Sequence, residues 1–145
     1  MTKPLDRQRF ERYDADATEY TLAIITDEDQ SAQIELDNGL TAWQSTLRYD
    51  RLIRQVDAET GAVDYSIERL PPDLGGEHRL ISLIAEGGRG AELSELVFFG
   101  RHLLAFDDRT GLVCEIREGH KLIPRQILMT GSGDEKFKGF KCEWA

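Results

Sequence analysis

The chain has 145 residues, of which 40% are hydrophobic and 31% charged, without a low-complexity tract, so one folded domain with its own core is expected. Its 27 acidic residues against 18 basic ones give a net charge of -9, a field that repels nucleic-acid backbones and anionic membranes. That surplus serves solubility, or a hard cation held by carboxylate and carbonyl oxygens. Two cysteines, Cys114 and Cys142, are too few for a disulfide scaffold; they pair or lie buried as thiols. His78, His102 and His120 are scattered and give no transition-metal spacing.

In chain order, Leu5 to Asp16 reads as a short helix or an unstructured polar lead-in without the apolar stretch of a signal peptide, and no apolar membrane span follows. Tyr20 to Thr26 is β-rich and almost wholly apolar, which predicts a strand buried on both faces. It runs into Asp27-Glu28-Asp29-Gln30, which must face solvent or a cation. Strands are predicted over Leu47 to Val56 and Ala62 to Ile67, joined by a hairpin turn at Asp57 to Gly61. After a loop at Pro71 to Gly76 come an apolar run, Leu80 to Ile84, and the glycine-rich loop Glu86 to Gly90. Leu96 to Phe99 is a further strand.

The clearest hairpin joins Leu103 to Phe106 and Leu112 to Ile116 through Asp107-Asp108-Arg109-Thr110-Gly111, where Gly111 supplies the positive φ of a tight turn. Weaker strands are expected at Leu122-Ile123 and Gln126 to Met129, and a loop from Thr130 to Asp134. Short strands with closely spaced turn signals point to an all-β fold rather than to βαβ units. At about 40–50 residues per four-stranded propeller blade, the chain holds two to three blades, fewer than the roughly four to eight that close a ring.

Three segments in this order, Ala23-Ile24-Ile25-Thr26-Asp27-Glu28-Asp29, then Gly88 to Leu96 with Asp107 to Gly111, then Lys138 to Trp144, resemble the first half of the calcium-activated nucleotidases, or apyrases. Trp43 resembles the tryptophan that follows the Asp-x-Asp loop there. The resemblance implies an all-β partial β-propeller: residues 1–19 a polar lead-in, and residues 20–145 about two to three four-stranded blades of a five-bladed ring. Two departures stand out. The stretch from Asp57 to His78 differs from the family pattern, and the later blades are missing with most of the calcium ligands.

By the same resemblance, Asp27 positions or activates the attacking water with Asp29 supporting it, and Asp108 is a second active-site acid. Ser94, Glu95 and Glu143 hold Ca2+, and Glu92 lies near the metal. Arg89 and Arg109 suit diphosphate oxygens through a planar donor fork, though Arg109 could equally pair with Asp107 or Asp27 and hold the loop. Lys138 and Lys141 either neutralise phosphate or are solvated. Without the family, Ser94 reads as a turn hydroxyl, Glu143 as a solvated terminal acid and the Asp27 loop as exposed. Trp43 and Trp144 suit packing better than base stacking.

The implied activity is calcium-dependent hydrolysis of nucleoside diphosphates such as UDP and GDP to the monophosphate and phosphate. The missing blades, or a homo-oligomer, would complete the ring, and the family is secreted or endomembrane. The alternatives are a non-catalytic truncated propeller and a calcium-binding interaction module.

Overall fold

The computed structural model describes residues 17–130 and 138–142. The lead-in, most of the 130–134 loop, the Lys138 side chain, Glu143 and Trp144 lie outside them. Among the described residues, eleven strands make two antiparallel sheets and one short two-stranded pair, with no α-helix. They form neither a closed ring nor a closed barrel.

The first sheet is organised around one long strand. β1 (Glu19–Ile25) and β2 (Gln33–Glu35) both pair antiparallel with β3 (Thr41–Val56), as do β4 (Val63–Arg69) and β5 (Glu77–Ser82). β3 therefore starts six residues before the run predicted from apolar content. Its early polar residues are satisfied by the loop after β1: Ser45 Oγ donates to the Thr26 carbonyl at 2.6 Å and Thr46 Oγ1 to Glu28 Oε1 at 2.6 Å. Gln44 Nε2 donates to the other Glu28 oxygen at 3.1 Å. A polar stretch with internal partners pairs as readily as an apolar one, and so this sheet is not a four-stranded meander.

The second sheet is such a meander, with β6 (Leu93–Phe99), β7 (His102–Asp107), β8 (Leu112–Arg117) and β9 (Lys121–Ile127) in sequence order. The two weak strands expected near its end are mostly one: β9 carries Pro124, tolerated because its outer edge has no neighbour in the sheet. The remainder, β10 (Met129–Thr130), pairs with β11 (Lys138–Gly139).

The sheets pack face to face, β1 against β6 and β5 against β9. Leu47, Tyr49 and Leu80 from one sheet and Leu93, Ala105 and Ile116 from the other form a single core. β1 covers that core with Ala23 and Ile25 while Ile24 is 40% exposed, so it is buried on one face only, as an antiparallel two-layer arrangement requires. At one end of the sandwich the Tyr49 hydroxyl donates to the Gly119 carbonyl at 3.0 Å. There the rings of His78 and His120, distant in sequence, stack with centroids 5.4 Å apart.

Candidate active site

Three loops meet at one end of the sandwich. The first follows β1. Thr26 is locked to β3 by backbone and hydroxyl bonds to Thr46, and the Asp29 N–H donates to Asp27 Oδ1 at 2.8 Å. That local turn, with Asp29 at φ +46°, holds the Asp27 carboxylate at the end of the strand.

The second loop precedes β6. Glu86 and Arg89 exchange backbone hydrogen bonds of 2.8 and 3.1 Å around Gly87 and Gly88, both at positive φ. Two successive positive φ values explain the Gly-Gly pair. The Trp43 indole N–H donates to the Gly88 carbonyl at 3.1 Å, so Trp43 is a half-buried loop support.

The third loop is the Asp107–Gly111 turn. Asp107 is 1% exposed; its Oδ1 accepts from the N–H groups of Arg109 and Thr110 at 2.9 and 3.1 Å, and its Oδ2 from Ala91 at 2.9 Å. The Asp108 N–H donates to the Glu92 carbonyl at 3.1 Å, which sets Asp108 beside Glu92. Because Gly111 has no side chain, the 138–142 segment lies directly over the turn: a Cβ there would sit 2.6 Å from the Phe140 nitrogen.

Carboxylate oxygens of Asp27, Glu92 and Asp108 consequently lie within 4.8 Å of one another. Asp27 is exposed, Asp108 half-buried and Glu92 only 3% exposed. Burial pushes the Glu92 carboxyl above the usual range; the Arg89 guanidinium opposes that, and the charges of Asp27 and Asp108 add to it. Arg89 grips Glu92 with both arms, Nε to Oε1 at 2.6 Å and Nη2 to Oε2 at 2.9 Å, and Nη2 also pairs with Asp29. Lys141 Nζ lies 3.3 Å from Asp108 Oδ2.

The other expected site residues fall around this cluster or aside from it. Arg109 pairs with neither Asp107 nor Asp27 through its guanidinium; its Nη2 lies 2.5 Å from Glu86 Oε2, which holds the second and third loops together. Ser94 Oγ donates to the Cys142 carbonyl at 3.2 Å, and so β6 meets the residue just before Glu143. Glu95 turns back on its own strand, its Oε1 accepting from the Leu96 N–H at 2.9 Å.

Two supports escaped the sequence reading. Glu28 is the buried-side partner of Thr46 and Gln44 rather than one more exposed loop acid, for which nothing local is a signal. Glu86 as the partner of Arg109 had no local signal either, since the Glu-Gly-Gly-Arg turn sets Glu86 opposite Arg89 and Arg109 comes 23 positions after Glu86.

Three acids converging from separate loops, faced by two cationic side chains, can hold a hard cation, orient a water molecule and accept its proton. No helix of the described residues is long and apolar enough to cross a membrane. Comparison with known proteins agrees in kind. A family model described as Apyrase matches residues 28–145. An apyrase of Cimex lectularius is 38% identical over 126 residues, covering 87% of this chain and 32% of that protein. Soluble calcium-activated nucleotidase 1 of Rattus norvegicus is 36% identical over 125 residues, covering 86% and 28%. Apyrase apy-1 of Caenorhabditis elegans is 34% identical over 133 residues, covering 92% and 34%. The chain thus spans about a third of the length of these relatives, over the part that carries the three loops, and it belongs to the apyrase family.

Proposed function

We propose that residues 20–145 are part of a β-propeller that hydrolyses nucleoside diphosphates, UDP and GDP among them, to the monophosphate and phosphate with Ca2+. The observation that carries this reading is the convergence of Asp27, Glu92 and Asp108 within 4.8 Å in a chain of the apyrase family. The four-stranded meander β6–β9 has the form of one blade, which supports the propeller. The secretory pathway is the compartment that accompanies this reading.

The donor set fits calcium. It offers hard carboxylate oxygens, and the four acids Asp27, Asp29, Glu92 and Asp108 outweigh Arg89 and Lys141 by two negative charges, the charge of one divalent ion. The rat relative is named as calcium-activated. Glu92 and Asp108 would hold the ion at this cluster, with Ser94, Glu95 and Glu143 as further oxygen ligands. Bound calcium would neutralise charge on the diphosphate.

The chain's own residues do the rest. Asp27, fixed by the Asp29 N–H, orients a water toward the terminal phosphorus and takes its proton as the new P–O bond forms. Asp108 shares in that positioning. The bond from the terminal phosphorus to the bridging oxygen breaks, and the monophosphate leaves with that oxygen. Arg89, the most exposed donor fork of the cluster, binds phosphate oxygens, while Arg109 keeps its loop in place through Glu86.

The test is phosphate release from UDP and GDP, with and without millimolar calcium, by this chain and its Asp27→Asn variant. Calcium-stimulated release that the variant loses supports the hydrolase. Calcium binding by a folded chain that releases no phosphate favours a non-catalytic calcium-binding module.

A further inference from the structure

Arg89 stands at the meeting point of the acids from two loops, and its contacts are lopsided. Both Glu92 oxygens are occupied by its fork, at 2.6 and 2.9 Å, although Glu92 is nearly buried and Asp27 and Asp108 lie beside it. Its other partner, Asp29, is at the rim, with a side chain 59% exposed. The Arg89 backbone is fixed by its mutual bonds with Glu86, whereas its side chain is 38% exposed. The base is therefore anchored while the head, held by Glu92 and Asp29, reaches the surface on the side marked by Asp29, so those two contacts are all that it must exchange to turn outward. Arg109, by contrast, is paired with Glu86 and touches none of the three acids.

We propose that Arg89 is an exchangeable counter-ion: it neutralises Glu92 and Asp29 until a divalent cation binds the Glu92 and Asp108 oxygens beside Asp27, then swings out to grip the anionic ligand. This rests on the reading above that Glu92 and Asp108 take calcium. A guanidinium on Glu92 and a doubly charged ion on the same carboxylate repel strongly at such short range. The planar fork that fits a carboxylate fits a phosphate as well, so one side chain serves both states. Cation and diphosphate then bind cooperatively, because the first releases the donor that the second requires.

The experiment is calorimetric titration of the folded chain with calcium, with and without a nucleoside methylenediphosphonate that cannot be hydrolysed. R89Q removes the competitor and is expected to bind calcium alone about tenfold more tightly than the unmodified chain, a typical coupling magnitude. The gain that the unmodified chain shows when the analogue is present should be smaller in R89Q, which keeps only the direct attraction between calcium and diphosphate. D29N loosens only the rim contact; it should tighten calcium binding by a smaller factor and keep the analogue effect. Melting curves confirm folding, and should R89Q fail to fold, R89M, which also removes the charge, carries the same comparison. Equal or weaker calcium binding by R89Q, with binding still lost in E92Q, overturns the exchange alone. No calcium binding by the unmodified chain, or binding indifferent to E92Q, overturns the cation reading and the exchange with it.

Discussion

The buried carboxylate of Asp107 accepts the Ala91 N–H at 2.9 Å, a buried bond that helps tie the loop that carries Asp108 to the loop that carries Glu92. Ala91 is itself fully buried at φ +56°, a conformation that costs a non-glycine residue energy unless its surroundings hold it. Both Asp107 oxygens accept from backbone, so an asparagine must turn its NH2 toward one set of donors. Asp107→Asn should destabilise the chain by about 1–3 kcal/mol. Asp57→Asn, in an exposed turn, should cost less than about 1 kcal/mol. Urea denaturation of both variants checks the contrast, and equal midpoints would mean that the second Asp107 oxygen holds nothing.

Glu115 governs acid stability. His102 first, then Arg117, with Arg125, hold its carboxyl down at about 2 against the opposing effect of burial. Its oxygens lie 3.0 Å from His102 Nδ1, 3.1 Å from Arg117 Nε and 2.9 Å from Arg125 Nε. A depressed folded-state pKa means that the stabilisation is present above the ordinary carboxyl value and fades as pH falls toward about 2. Glu115→Gln should lower Tm at neutral pH, and the gap from the unmodified chain should close between about pH 5 and pH 2. A gap that stays constant over that range would contradict the assignment.

Two glycines separate strain from packing. Gly61 and Gly111 have nearly the same φ, +70° and +71°, but a Cβ on Gly61 meets nothing within 4 Å while one on Gly111 would lie 2.0 Å from the Leu128 carbonyl oxygen. Gly61→Ala should cost about 1 kcal/mol, the expense of a left-handed alanine. Gly111→Ala must also push the 138–142 segment aside and should cost well over about 2 kcal/mol. Guanidinium melts measure both, and comparable losses would show that the segment does not lie against the turn.

Cys114 and Cys142 are both buried and form no disulfide with each other. Burial, with the nearby Asp107 charge, pushes the Cys114 thiol up to about 12, far from the thiolate that reacts with disulfide reagents. An aromatic disulfide reagent at pH 8 should label neither cysteine in the native chain and both after denaturation. Rapid native labelling of Cys114 would refute its burial.

Two turns of the same sequence pattern divide what was legible from what was not. Asp57-Ala58-Glu59-Thr60-Gly61 and Asp107-Asp108-Arg109-Thr110-Gly111 fold alike: aspartate Oδ1 accepts from the N–H groups two and three residues on, the threonine hydroxyl accepts from two residues on, and glycine is left-handed. These contacts span at most three residues, and hairpin, turn and strand type followed from residue order alone. The extent of β3 did not, because Ser45 and Thr46 pair with Leu80 and Arg79 of β5 and find their side-chain partners in Thr26 and Glu28, all distant in sequence. Nor was the stacking of His78 on His120 visible in a chain that separates them so widely.

The amino-acid order by itself determined the all-β class, the turns and the acids at strand ends, since backbone sterics and near-neighbour hydrogen bonds act within a few residues. Which turn becomes part of a site was decided by tertiary structure. One aspartate turn stays in solvent at a hairpin tip; the other is buried against Ala91 and Gly139, where Asp108 meets Asp27 and Glu92. The reason is that carboxylates repel one another, and only a shared core under two packed sheets, with Arg89 and Lys141 brought in alongside, can hold them together.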